Sequence, residues 1–111
     1  MKGTYLGEFE EIVLLTIGVL QGDAYGVAIK LEIEKRTGRT PSIGALHSAL
    51  SRLEDKGFIE SLEGGATKSR GGRRKRFYTI TAAGKRTLVK ANGLRNELFN
   101  LIPNLSFSDL N

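Results

Sequence analysis

Apolar residues recur at helical spacing in four stretches of the chain, and two short stretches of weaker alternation lie between the third and the fourth. From Glu8 to about Gln21, the positions Phe9, Ile12, Val13, Ile17 and Leu20 draw one stripe on a helix, while Leu14, Leu15 and Val19 add apolar surface elsewhere. Such a helix is predicted to be buried on more than one side. Glu8, Glu10 and Glu11 suit its positive N-terminal end, and Gly22-Asp23 ends it. A second helix is predicted from about Tyr25 to Thr37. Tyr25, Ala28, Ile29 and Ile33 face inward, Lys30, Glu34, Lys35 and Arg36 outward, and Gly38 supplies the stop. Pro41 and Ser42 then give a turn and an N-cap for a third helix at about 43–56, where Ile43, Leu46, Leu50 and Leu53 follow at steps of three, four and three, up to Gly57.

Phe58 to Glu63 and Lys75 to Ile80 read as the two strands of a hairpin. Thr81 caps a last helix reaching about Ile102, where Pro103 ends it, and Leu88, Ala91, Leu94, Leu98 and Leu101 form its apolar seam. Gly93 inside it costs about 1 kcal/mol relative to alanine. In a chain of 111 residues such a helix has little of its own subunit left to cover. Its seam, with Leu14 and Leu15 of the first helix, is therefore the expected dimerisation surface. The tail 104–111 shows no period.

Charge sharpens this picture. Residues Gly64 to Arg76 hold six of the seventeen Lys and Arg, so of the net charge of +5 the rest of the chain contributes about −1. Four glycines disfavour helix or strand in that segment, which leaves its cations on a loop suited to an irregular polyanion. Opposite its apolar stripe, the third helix carries Gly44, Ala45, Ser48, Ser51, Arg52 and Asp55, small or polar throughout its first two turns. Two short helices joined by a tight turn, the second with such a face, form a helix-turn-helix, and the basic hairpin after them makes it winged. The fold class expected is mostly α with a small β-hairpin. Residues 1–80 form the winged helix-turn-helix and 81–103 the dimerisation helix, in one compact domain overall.

Other chemistries find little support. Without cysteine there is no disulfide, thiolate metal site or cysteine nucleophile. His47 is the lone histidine and lacks a second imidazole for a common zinc site. His47 and Ser48 are helix neighbours about 100° apart, and no carboxylate completes a triad, so neither catalytic residues nor a cofactor are expected. The apolar run Ile12 to Leu20 is too short to span a membrane and follows acidic residues, and the basic loop adjoins no amphipathic membrane helix. A soluble, cytoplasmic protein is expected. A winged helix that binds RNA or a protein partner instead of duplex DNA is the rival reading.

Five strings, in order and spacing, give the chain a family resemblance: L-G-E-F-E-E-I-V-L-L from Leu6, A-Y-G-V-A-I from Ala24, G-A-L-H-S-A-L-S-R-L-E-D-K-G-F-I from Gly44, R-G-G-R-R-K-R-F-Y from Arg70 and T-A-A-G from Thr81. Over about residues 6–90 the sequence resembles the PadR family of bacterial transcriptional regulators, in its short branch. The resemblance implies a homodimer, joined through the last helix, that represses genes by binding operator DNA. It also allows a small-molecule effector between the subunits. On double-stranded DNA, the third helix would bring Ser42, Gly44, Ala45, His47, Ser48 and Arg52 to the major groove, with Ser48 and Arg52 the foremost donors to base edges or phosphates. Lys68, Arg70, Arg73 and Arg74 of the wing, about 64–75, would contact phosphates. His47 stands where the family usually has tyrosine.

Overall fold

The computed structural model describes residues 5–64 and 75–103. Its elements run α1 (Glu8–Leu20), α2 (Gly26–Thr37), α3 (Ile43–Asp55), β1 (Ile59–Glu63), β2 (Arg76–Ile80) and α4 (Ala82–Leu101). This is a mostly helical fold with one antiparallel hairpin, a winged helix-turn-helix. The hairpin pairs Ile59 with Ile80, Ser61 with Tyr78 and Glu63 with Arg76. A third short segment joins β2 from the other side, where the Tyr78 N–H donates to the Ala24 carbonyl and Tyr25 bridges Phe77.

Helix ends follow local chemistry. Gly38 adopts φ 74°, a left-handed conformation open to glycine at no steric cost, and its N–H donates to Glu34 at the close of α2. Ser42 Oγ accepts from the Ala45 N–H at 3.0 Å and so starts α3. Thr81 Oγ1 accepts from the Gly84 N–H at 3.0 Å and donates to the Gly57 carbonyl at 2.6 Å, tying the start of α4 to the end of the α3 turn.

The core lies where α1 crosses α2 and α3. Val13, Leu14 and Ile17 of α1 meet Ile29 and Ile33 of α2 and Leu46, Ala49, Leu50 and Leu53 of α3, and Phe58, Ile59 and Tyr78 close the hairpin side. Each fully buried aliphatic side chain contributes roughly 1.5–3 kcal/mol of burial free energy. Three expectations are corrected. Ile43 was expected in the buried stripe of α3 but is 48 % exposed, because it is the first helical residue and the helix enters the core only at Leu46. Tyr25 was expected as an inward residue of α2, yet it precedes the helix in extended backbone, where pairing with Phe77 claims it. Leu14 was expected at a subunit surface, but it is 0 % exposed and belongs to the core.

In contrast, α4 is hardly covered. Of its twenty residues only Gly84 is buried. Leu88 packs partly against the core, whereas Leu94, Leu98 and Leu101 stand open to solvent, as do Leu15 and Val19 of α1.

Candidate nucleic-acid interface

Burial divides α3 into two faces. Leu46, Ala49, Leu50 and Leu53 are enclosed, and Gly44, Ser48, Ser51 and Asp55 run opposite them at steps of four, three and four, with His47 on one flank and Ala45 and Arg52 on the other. Ser42, Gly44, Ala45, His47, Ser48 and Arg52, the six residues expected on this helix to meet DNA, are all exposed. At Gly44 an added Cβ would meet nothing within 4 Å, so packing inside the subunit does not explain this glycine. His47 projects from the exposed side beside buried Leu46. Among the described residues no group of three or more His, Cys, Asp or Glu could hold a metal ion.

The wing's base is held by aromatic and polar contacts. Tyr25 and Phe77 meet edge to face with ring centroids 5.6 Å apart, and Lys75 Nζ lies 4.1 Å above the Tyr25 ring. Arg76 donates to Ser61 Oγ at 2.7 Å, and that hydroxyl donates to Glu54 at 2.7 Å. Lys75 and Arg76 are thus engaged at the root of the hairpin. Lys68, Arg70, Arg73 and Arg74, expected to contact phosphates, lie outside the described residues.

Sequence reasoning missed what the acidic first turn of α1 does. Its three carboxylates each meet cations from other elements: Glu8 pairs with Arg39 of the α2–α3 turn at 2.8 Å, Glu10 with Arg52 and Lys56, and Glu11 with Arg95 of α4 at 2.6 Å. The first pair is exposed and worth little. Glu11 Oε1 has its cation close by but outside hydrogen-bonding angles, so that contact is ionic and not directional. Glu10 is different, being only 6 % exposed. Its Oε2 accepts from Arg52 Nε at 2.6 Å, and its Oε1 accepts from Lys56 Nζ at 2.6 Å and from the Gly7 N–H at 3.3 Å. Burial by itself would raise its pKa, but the hydrogen bonds from Lys56, Arg52 and Gly7 outweigh it and hold the carboxyl below its ordinary value. A signal for this was present, since Glu10, Val13, Leu14 and Ile17 share one helical stripe.

The expected dimer residues divide similarly. Leu15, Leu94, Leu98 and Leu101 are exposed, Ala91 and Leu88 half-buried, and Leu14 enclosed. Between the segment at Tyr5 and Leu6 and helix α4 runs an open groove of about 350 Å³, lined also by Ala91 and Leu94, with Glu11 and Arg95 beside it. No helix among the described residues is long and apolar enough to cross a membrane.

Known proteins share this arrangement. A PadR family transcription regulator from Clostridium difficile is 26% identical, with a TM-score of 0.67 over 82% of this chain and 93% of its own. A transcriptional regulator from Clostridium thermocellum is 30% identical, with a TM-score of 0.62 over 86% of this chain and 92% of its own. A PadR-like transcription factor from Bacteroides fragilis, at 20% identity and a TM-score of 0.70 over 88% of this chain and 89% of its own, shares the fold. No curated protein matches significantly. The profile of the transcriptional regulator PadR-like family matches residues 14–90, the span from the core of α1 into α4. With the helix-turn-helix, the wing and that match in place, the chain belongs to the PadR-like family of DNA-binding transcriptional regulators.

Proposed function

We propose that the protein represses transcription in the cytoplasm as a homodimer bound to a pseudo-palindromic operator. Each α3 enters a major groove, and the wings, residues 64–75, lie on flanking phosphates. The observation that carries this reading is the bare face of α3, where a Cβ added at Gly44 would meet nothing within 4 Å and Ser48 and Ser51 are exposed. A groove accepts such a surface closely. Residues 1–80 supply the DNA-binding region, and α4 supplies the subunit contact. Leu94, at 55 % exposure, Leu98, at 55 %, and Leu101, at 69 %, form an apolar row that a monomer leaves in water and a second copy would cover. A small-molecule effector would sit at the same interface, because Ala91 and Leu94 also line the groove beside Tyr5.

The test is binding of purified protein to labelled duplex from the region upstream of its own coding sequence, followed across salt. If the dimer neutralises about eight phosphates, log K falls with log salt at a slope near −7. Replacing Arg73 and Arg74 by alanine flattens that slope, and transcription in vitro from the same promoter falls when wild-type protein is added. Absence of salt-sensitive duplex binding at micromolar protein would favour a protein-interaction module. Preference for structured RNA over duplex would favour the RNA-binding alternative.

A further inference from the structure

The only Lys and Arg between residues 43 and 56 are Arg52 and Lys56, and both converge on one carboxylate from a different helix. Lys56 is withdrawn by this contact. Its side chain is 17 % exposed, and its Nζ also donates to the Tyr5 carbonyl at 2.5 Å. Arg52 is divided, for Nε is held at Glu10 while the side chain stays 51 % exposed. A guanidinium is planar and carries five donors, so holding it through Nε restricts its swing and leaves its other N–H groups on an exposed side chain four residues, about one helical turn, after Ser48.

We propose that Glu10 is a positioning residue for sequence discrimination: it withholds Lys56 from DNA phosphates and orients Arg52, so that α3 meets the groove with a set donor geometry and few free cations. The inference rests on the DNA-binding reading above. Phosphate contacts by mobile cations strengthen binding to every sequence alike, whereas an oriented guanidinium favours the base or phosphate arrangement it fits. Removing the carboxylate converts the second kind of contact into the first.

The experiment uses a duplex selected by wild-type protein from a random-sequence pool, and a scrambled duplex of equal length. Glu10→Gln keeps the shape of the side chain and removes its charge. It is expected to raise affinity for scrambled DNA several-fold, to lower the selected-to-scrambled ratio about tenfold, and to steepen the salt slope by about 0.9 for each cation released. A double-mutant cycle with Arg52→Gln should show that Glu10→Gln removes little further discrimination once Arg52 is gone. Additive losses, or an unchanged slope, overturn the assignment.

Arg52→Lys tests the same claim with Glu10 and its Lys56 contact intact, and so does not depend on the Glu10 variant folding. The ammonium keeps the charge but has no second edge. The ratio is expected to fall several-fold while scrambled-duplex affinity and salt slope hold, and an unchanged ratio overturns the proposal. Failure of the wild-type protein to bind any duplex would instead remove the DNA-binding reading itself.

Discussion

Gly84 lies so close to Phe58 that a Cβ added to it would stand 2.3 Å from the Phe58 carbonyl oxygen and 2.8 Å from Ile80 Cγ2. This contact seats the first turn of α4 on the turn leading into β1. Backbone cannot retreat as a flexible side chain would. Gly84→Ala is therefore expected to destabilise the protein by roughly 1–3 kcal/mol, read as a lower urea midpoint. An unchanged midpoint would mean that α4 is seated by other contacts.

Gly44 has the opposite surroundings, with open space where Gly84 has backbone. In an exposed helical position alanine stabilises by up to about 1 kcal/mol. Gly44→Ala should raise the melting temperature and, by adding a methyl group to the face proposed to enter the groove, weaken duplex binding. Tighter or equal binding would argue against close approach of α3 at this point.

Leu98 and Leu14 separate assembly from folding. Leu98→Lys places a charge in the exposed row of α4 and is expected to shift the protein to monomer in sedimentation, with the melting temperature of the winged region nearly kept. Leu14→Ala empties a site of 0 % exposure and should cost about 2–5 kcal/mol in folding. If Leu98→Lys leaves the sedimentation coefficient unaltered, the seam is not the subunit contact.

Acid should weaken the join between α1 and α3. Glu10 has a folded pKa below its ordinary value of 4.5, so its ion pairs stabilise the protein above that value. As pH falls from about 4.5 through the lower folded value, the carboxylate takes up a proton and that stabilisation disappears. Glu10→Gln should cost about 1–3 kcal/mol at pH 7 and much less once pH has fallen through the lowered folded value, so wild type and variant converge in acid. Parallel stability curves over that range would show that the pairs contribute nothing.

The sequence by itself determined the element order, because repeating apolar positions and local stop signals act over a few residues. Gly38, Ser42 and Thr81 each end or start a helix as their backbone or side-chain chemistry requires. The same local logic set the exposed face of α3, since spacing alone puts Gly44, Ser48 and Ser51 opposite Leu46, Leu50 and Leu53.

Tertiary structure decided which apolar and charged residues had partners. Leu14 and Leu15 are alike in composition, yet one fills the core and the other meets solvent, a difference set by how α1 crosses α2 and α3. Tyr25 was drawn out of α2 by an unpaired edge of β2, a competitor distant in the chain. The meeting of Glu10 with Arg52 and Lys56 spans 42 and 46 residues. Helical phase could mark Glu10 as facing inward, but long-range charge pairing depends on the packed arrangement of two helices, and only the fold brings both cations to 2.6 Å from that carboxylate.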